Sequence, residues 1–231
     1  MTSIKDSVAL VTGGQRGLGK AFVDELLAAG AAKVYATARR PVGSDDPRVV
    51  PVALDVADAA SVAALAEQVG DVTLVINNAG TTVRTSLLDA TLDELNEVFA
   101  TNVYGVVAVT QAVAPILARN GGGALVNIAS VLSWLAGSSV YGASKAALWS
   151  VSNSLRLELA AQGTQVVGVH LGYTDTDMTR ALDVPKNDPR QVARDTLRAV
   201  ERGETEVLAD EVSRVVKAAL SGPVENLALG S

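Results

Sequence analysis

The chain has 231 residues, a formal net charge of -6 and 48% hydrophobic residues, with few aromatic ones. The length predicts a single domain over residues 1–231 with a well-buried core, and the negative charge disfavours nucleic acid and anionic membranes as partners. The chain has no cysteine, which excludes disulfides and thiolate metal sites and is compatible with a cytoplasmic protein.

The polar start of the sequence predicts no signal peptide. Its longest apolar stretch, Val103 to Leu117, is interrupted by polar residues and a proline, so we expect no membrane span. We also expect no metal site.

The first predicted strand, Val8 to Val11, leads into a glycine-rich segment, TGGQRGLG at residues 12–19, and then into a helical pattern. A strand, a glycine turn and a helix N-terminus together present backbone N–H groups to a pyrophosphate. A glycine loop alone is weak support for nucleotide binding, but its place after the first strand strengthens the interpretation. The predicted cofactor contacts here are Gly13, Gln15, Arg16, Gly17, Leu18 and Gly19.

The second predicted strand, Lys33 to Ala38, ends where a dinucleotide fold holds the adenosine ribose. An acidic residue there would accept the 2′-OH of NAD, but this chain continues with Arg39 and Arg40. Guanidinium groups suit a 2′-phosphate, and Arg16 can join them. The sequence therefore predicts NADP(H) in preference to NAD(H), although a solvated basic loop is the alternative interpretation.

Two further predicted strands end in residues that suit a cofactor. Val49 to Leu54 is followed by Asp55 and Val56, where the carboxylate can accept from an adenine amino group or cap the next helix. Val72 to Ile76 is followed by Asn78, Ala79 and Gly80, whose small size lets a ligand cross the sheet edge.

A long helix is predicted from Thr91 to about Arg119, with Asn102 interrupting its apolar face. A buried amide is costly unless it is bonded, so Asn102 either satisfies a backbone group or holds a water molecule.

The fifth predicted strand, Ala124 to Ala129, delivers Ser130 to its carboxyl end, and a helix starts near Tyr141. Tyr141 and Lys145 are four residues apart and therefore share one helix face. We expect the ammonium to lower the pKa of the phenol and make Tyr141 a general acid or base, with Ser130 as a second donor. Taken alone, the pair could equally be ordinary helix-surface chemistry.

The sixth predicted strand, Thr164 to His170, is followed by a polar turn in which Gly172, Thr174 and Thr176 are candidate cofactor contacts. His170 has no partner at catalytic spacing, so we interpret it as structural. We predict a loop from Asp183 to Arg190, a helix to Arg202, a strand from Glu206 to Ala209 and a last helix from Asp210 to about Leu220.

The alternation of strands and helices predicts a doubly wound parallel α/β sheet of the Rossmann type, with the ligand beyond the strand carboxyl ends. At this point the sequence resembles the short-chain dehydrogenase/reductase family over essentially its whole length. The matching stretches are TGGQRGLG, LDV at 54–56, NNAG at 77–80, the Asn of TNVYG, Ser130 and YGASK at 141–145.

The resemblance implies roles for four catalytic residues. Tyr141 would donate the proton, and Lys145 would bind the nicotinamide ribose and lower the Tyr141 pKa. Ser130 would orient the substrate, and Asn102 would hold a water of the proton relay. One departure is Leu171, where the family usually has proline before Gly172.

The expected activity is an NADPH-dependent carbonyl reductase, reversible as an alcohol dehydrogenase, whose small-molecule partner is a ketone or aldehyde. A non-catalytic NADP-binding sensor and a hydrolase using Ser130 are the alternatives, the second disfavoured because no histidine can be placed beside the serine. We expect a wide apolar pocket for bulky or aromatic neutral substrates, and a homodimer or homotetramer built on surplus apolar helix surface. The predicted substrate contacts are Ser130, Leu132, Trp134, Tyr173 and Met178, with Val83, Leu135 and Val184 as further walls.

Overall fold

A computed structural model of the protein describes residues 2–228 and places a seven-stranded parallel sheet at its centre. The strands are β1 Val8–Val11, β2 Lys33–Ala38, β3 Val49–Ala53, β4 Leu74–Asn77, β5 Ala124–Ile128, β6 Gln165–His170 and β7 Glu206–Leu208. Their spatial order is β3-β2-β1-β4-β5-β6-β7, which confirms the predicted doubly wound sheet. Valine-rich runs form the inner strands because both faces of a parallel sheet are covered.

Helices cover both faces of this sheet. On one face Phe22 of α1 and Leu197 of α6 are buried in the core, and on the other Leu65 of α2 and Val113 of α4 are buried. The α-helices are α1 Gly17–Ala28, α2 Ala59–Gln68, α3 Leu92–Phe99, α4 Gly105–Arg119, α5 Ser139–Glu158, α6 Pro189–Glu201 and α7 Glu211–Ala219. Short 3₁₀ turns lie at Val131–Ser133, Ala160–Gln162, Asp177–Thr179 and Val224–Leu227.

The long helix predicted from Thr91 consists of α3 and α4 joined by a π-helical segment, Ala100–Tyr104. Thr91 and Glu94 form a reciprocal capping box at its start, which explains why the helix begins there. The π segment contains Asn102, and π turns inside α-helices frequently mark functional sites. The interruption of the apolar pattern at this residue thus coincides with a change of helix geometry.

The continuous helical run Leu92–Arg119 has 28 residues and contains an 18-residue window with a mean hydropathy of 1.4, so by length and composition alone it could cross a membrane. The sequence had suggested a shorter apolar stretch. Half of this run's apolar window is buried within the fold, and Val109, Val113 and Ile116 pack in the core. Core helices pass the same test, and the burial assigns this helix to the core.

All strands run in one direction, so their carboxyl ends meet at one edge of the sheet. The glycine loop after β1, the turns after β2 to β4, and Ser130 after β5 all lie along that edge. Helix α6 begins at Pro189, inside the segment 183–190 predicted as a loop, because Asp188 caps it and proline suits the first helical turn.

Candidate active site

A cleft of about 1190 Å³ runs along the carboxyl edge of the sheet. It brings together segments that are far apart in the sequence, from the glycine loop to the turn after β6. Its lining includes the predicted residues Gly13, Gln15, Arg16, Gly17, Leu18, Arg39, Arg40, Asp55, Val56, Asn78, Ala79, Gly80, Ser130, Tyr141, Lys145, Gly172, Thr174, Thr176 and Met178.

The glycine loop leaves the N-terminus of α1 open. Gly13 and Gly17 have φ values of +64° and +52°, which favour glycine, and no side chain caps the helix at Arg16. The first turn of α1 carries no acidic residue, so its N–H groups can receive an anion.

Gly19 has a different role from the one predicted, because it does not line the cleft. A Cβ atom at this position would lie 2.1 Å from the Gly13 carbonyl oxygen and 2.6 Å from Asn78 Nδ2. Gly19 is therefore required for helix α1 to pack against its own loop, which gives this glycine a packing role.

Thr12, which the sequence analysis did not select, braces the glycine loop. Its hydroxyl oxygen accepts the N–H groups of Asn78 and Ala79, each at 2.9 Å. Asn78 Nδ2 in turn donates to the Thr12 carbonyl at 2.9 Å. A threonine directly after β1 was the only signal in the sequence, since its partners are more than 60 residues away.

Three arginines, Arg16, Arg39 and Arg40, line the cleft near the end of β2. None of the three side chains has a hydrogen bond or an ion pair with another residue of the described range 2–228. Gln15 pairs with both backbone groups of Val42, donating from Nε2 at 2.7 Å and accepting at Oε1 at 2.9 Å. The glycine loop and the arginine loop are therefore joined, with the arginine donors available to a ligand.

Asp55 lies in the cleft lining, as predicted for a residue near adenine. One of its oxygens accepts from the Ala57 N–H at 3.0 Å, while Asp58 is the residue that caps α2. The structure thus excludes helix capping as the role of Asp55.

The predicted catalytic group is assembled from β5 and α5. Lys145 is 4% exposed, and its Nζ donates to the Ile128 carbonyl at 2.7 Å and lies 5.6 Å from the centre of the Tyr141 ring. The Ser130 hydroxyl accepts from the Leu132 N–H at 3.1 Å and lines the cleft together with Tyr141. A phenol, a second hydroxyl and a buried ammonium therefore meet in the cleft.

The pKa of Tyr141 contradicts the expectation that Lys145 lowers it. Burial raises the Tyr141 pKa to about 12, with only the Ser130 hydrogen bond acting in the opposite direction. Burial also lowers the pKa of Lys145 to about 8. At neutral pH the phenol keeps its proton, so in this state of the protein Tyr141 is equipped to donate one.

Asn102 is fully buried and does not line the cleft. Its Nδ2 donates to the Thr81 carbonyl at 3.0 Å and to Ser144 Oγ at 2.9 Å, and its Oδ1 accepts from the Thr81 N–H at 2.9 Å. Of the two predicted alternatives, the structure shows the satisfaction of backbone groups. The Asn102 side chain thus ties the loop after β4 to α5, one residue before Lys145.

Most of the residues predicted to contact the substrate do not line the cleft. Trp134 is buried and stacks on His170 with ring centres 3.9 Å apart, and Leu132 packs beside this cluster. Neither residue lines the cleft, because the 3₁₀ turn after Ser130 directs the chain towards α7. Tyr173 also lies outside the cleft lining, as do Val83, Leu135 and Val184, which leaves Met178 as the predicted apolar contact that reaches it.

His170 is fully buried, and its Nδ1 lies 3.1 Å from the main-chain carbonyl of Ser130. A carbonyl can only accept, so this ring nitrogen carries the hydrogen. Burial lowers the pKa of His170 to about 4. The ring contacts the backbone of Ser130 and makes no hydrogen bond to its hydroxyl, which agrees with a structural role and leaves a Ser-His-Asp triad without support.

The depressed pKa of His170 predicts a pH-dependent stability. As the pH falls from 6.5, the ordinary value, to about 4, the unfolded chain binds a proton at this residue and the folded protein does not. The free energy of unfolding should therefore decrease in this window, by about 3 kcal/mol from this group. Urea unfolding at pH 7 and pH 4.5 measures it, and His170→Gln, which cannot titrate, should show a smaller decrease. Equal decreases in the two proteins would contradict the prediction.

Within residues 2–228, no group of three or more His, Cys, Asp or Glu side chains is placed to hold a metal ion.

Comparisons with known proteins agree on one family. A family model described as short chain dehydrogenase matches residues 7–187. The chain is similar to the 3-oxoacyl-[acyl-carrier-protein] reductase FabG of Salmonella typhimurium, with 35% identity over 192 residues and 78% of each chain covered.

Solved structures of similar proteins agree with the family match. A crystal structure of a short chain dehydrogenase from Burkholderia cenocepacia J2315, in complex with NADP, is 35% identical with a TM-score of 0.91 over 97% of both chains. An NADPH-bound carbonyl reductase from chicken fatty liver is 27% identical with a TM-score of 0.78, covering 85% of this chain and 91% of its own.

Proposed function

Since the chain belongs to the short-chain dehydrogenase/reductase family of oxidoreductases, we propose that it is an NADPH-dependent carbonyl reductase that converts a neutral ketone or aldehyde to an alcohol, reversibly. The observation that carries the proposal is the joint placement of Ser130, Tyr141 and Lys145 at a cleft with an open helix N-terminus. A cleft that only binds a dinucleotide would not need a protonated phenol beside a buried ammonium.

The cleft offers groups that can bind two parts of a dinucleotide, the pyrophosphate and a ribose. The open N-terminus of α1 and the positive-φ glycines offer a place for the pyrophosphate, and the ammonium of Lys145 has no carboxylate partner within residues 2–228. Lys145 can therefore donate to ribose hydroxyls. Bound in this way, the nicotinamide supplies the hydride that reduces the carbonyl carbon.

The protein's own contribution is the proton and its control. Tyr141 carries its proton at neutral pH because burial raises its pKa, so it can protonate the carbonyl oxygen. The Ser130 hydroxyl, which lines the cleft with Tyr141, is a second donor to that oxygen and holds the substrate in line. The Lys145 ammonium stabilises the phenolate that proton transfer leaves behind.

The preference for NADPH rests on the three arginines in the cleft. Guanidinium groups bind phosphate through paired hydrogen bonds, and these three have no partner among the described residues. No carboxylate follows β2 before Asp45, so the ribose 2′-OH of NADH would have no acidic acceptor from this loop.

Arg39→Ala should raise the KM for NADPH by about 10- to 100-fold, the scale of a lost hydrogen-bonded ion contact, and leave the KM for NADH nearly unchanged. Steady-state kinetics with both cofactors measure the change. Arg119→Ala is a matched control, because Arg119 is exposed at the end of α4 and outside the cleft. A wild-type protein that uses NADH as efficiently as NADPH would refute the role of Arg39.

The proposed substrate class is broader in size than the class expected from the sequence. Apart from Met178, the predicted apolar walls lie outside the cleft, so the structure does not favour bulky substrates over small ones. The loop after β6 lines the cleft with threonines, Asp177 and Met178 and adds no lysine or arginine, which disfavours anionic substrates.

The deciding experiment is NADPH oxidation with a panel of carbonyl compounds. The panel runs from acetone to diaryl ketones and adds a 3-oxoacyl thioester and a keto acid. Turnover of neutral members above the keto acid supports the proposal. Tight NADPH binding without turnover of any member would instead support the non-catalytic sensor.

We also propose a homodimer or homotetramer. Large apolar side chains are exposed on the loop before α3 and on the helices, among them Leu88 at 98% and Leu157 at 80%. Surplus apolar surface of this kind commonly marks an interface. Light scattering at micromolar concentration should give two or four chains, and a mass of one chain would refute it.

A further inference from the structure

The turn after β6 and the start of α6 converge on one carboxylate, Asp210. Its Oδ2 accepts from the Gly172 N–H and from Asn187 Nδ2, both at 2.6 Å. Its Oδ1 accepts from the Ser213 N–H at 2.8 Å and so caps α7. We call the three residues Gly172, Asn187 and Asp210 the neck.

Backbone contacts close the neck further. The Asn187 N–H donates to the Tyr173 carbonyl at 2.8 Å, and the Asp175 N–H donates to the Asn187 carbonyl at 3.0 Å. Thr174 and Asn187 form an isolated parallel bridge. Residues 173–186 are therefore a loop whose two ends are held together at one point.

This loop forms one side of the cleft. It contributes Thr174, Thr176, Asp177, Met178 and Thr179 to the lining, while Asp210 and Asn187 lie outside it. The position of every one of these contacts depends on where the neck holds the loop.

In the neck the backbone at Gly172 lies close to the Asp210 carboxylate, and that carboxylate stays charged. A Cβ atom at position 172 would lie 3.1 Å from Asp210 Oδ2, which explains the glycine. Burial acts to raise the pKa of Asp210, but the hydrogen bonds from Gly172, Ser213 and Asn187 outweigh it and hold the pKa below its usual value. The carboxylate thus stays ionised, and its hydrogen bonds are of the stronger, charge-assisted kind.

We propose that Asp210 is a positioning residue that, through the neck, fixes the cleft-lining loop 173–186 for cofactor and substrate. Leu171 precedes Gly172, so no proline ring restrains the chain at this point, and the carboxylate supplies the restraint. The effect on the loop is independent of the reaction, while the effect on kinetics rests on the proposed function.

Asp210→Asn separates this role from helix capping. Asparagine caps helices as well as aspartate, so its oxygen can still accept from the Ser213 N–H. Its amide nitrogen then faces two donors, Gly172 N–H and Asn187 Nδ2, and the neck opens.

The rate of trypsin cleavage reports how firmly the loop is held, because Arg180 and Lys186 are the trypsin sites within residues 173–186. In Asp210→Asn, cleavage at these two residues should be about tenfold faster or more, the scale of a lost charge-assisted bond. The KM for NADPH should rise by a similar factor, with kcat changing much less.

The matched control is Asp58→Asn, since Asp58 caps α2 and its side chain bonds only the Ala60 N–H. It should leave the cleavage at Arg180 and Lys186 and the KM unchanged. Asn187→Ala opens the same neck from the other side, and it serves alone if Asp210→Asn does not fold. The two substitutions together should be less than additive, because they remove one shared contact.

Unchanged cleavage at Arg180 and Lys186 in folded Asp210→Asn and Asn187→Ala would overturn the proposal. So would faster cleavage with an unchanged affinity for NADPH. Neither measurement requires turnover: trypsin cleavage is measured on the protein alone, and NADPH binding is measured by the change in tryptophan fluorescence. A protein without reductase activity would therefore refute the proposed function while leaving this test valid.

Discussion

Tyr141→Phe is expected to lower kcat by a factor of about 100 or more, with the fold and the affinity for NADPH retained. The substitution removes one oxygen from a side chain that keeps its ring packing. That oxygen is the group that carries a proton at neutral pH in the cleft, because burial raises its pKa to about 12. Initial rates with the best ketone of the panel, together with thermal unfolding, measure the effect.

Tyr104→Phe is the matched control for this experiment. Tyr104 is 62% exposed and lies outside the cleft, so the same loss of one hydroxyl should leave kcat unchanged. Near-normal turnover by folded Tyr141→Phe would mean that another group delivers the proton.

Lys145→Met should reduce kcat to a similar extent, about 100-fold or more, and also raise the KM for NADPH. Methionine approximates the length of the lysine stem but cannot stabilise a phenolate or donate to a ribose. The fold should survive, because the substitution removes a buried charge whose pKa burial has lowered to about 8. The Ile128 carbonyl loses its donor, which offsets part of this gain.

Kinetics and urea unfolding at pH 7 test both parts of this expectation. Lys20→Met is the control, since Lys20 is an exposed residue of α1 paired with Asp24. If folded Lys145→Met turned over within tenfold of the wild type, the proposed role of the ammonium would be wrong.

The sequence was sufficient for the sheet and for most of the cleft. Runs of four to seven mostly apolar residues predicted every strand to within two residues of its observed ends. Because parallel strands end at one edge, residues such as Arg39, Asp55 and Ser130 could be placed together without knowing any contact. Periodicity and the position of a residue relative to a strand end are local properties, so they can be predicted from a short stretch of sequence.

The features that the sequence did not predict depend on the direction in which a side chain points and on how deeply it is buried. The spacing of Tyr141 and Lys145 correctly placed them together, but it could not show that burial raises the pKa of the Tyr141 phenol. Trp134 follows Ser130 by four residues, yet a single 3₁₀ turn is enough to send its ring to His170. The neck formed by Gly172, Asn187 and Asp210 joins residues up to 38 positions apart and leaves no periodic trace.

The π segment Ala100–Tyr104 has a consequence for insertions and deletions in this chain. A π turn accommodates one residue more than an α turn, so deleting one residue there would restore a regular helix in which α3 and α4 keep their relative phase. Val98 of α3 and Val113 of α4 should then both stay in the core. A one-residue change elsewhere between Leu92 and Arg119 has no such compensation and would rotate one part of the helix by about 100° relative to the other, because each residue of an α-helix turns it by that angle. Related chains can therefore lose one residue at this segment more easily than at other points of the helix.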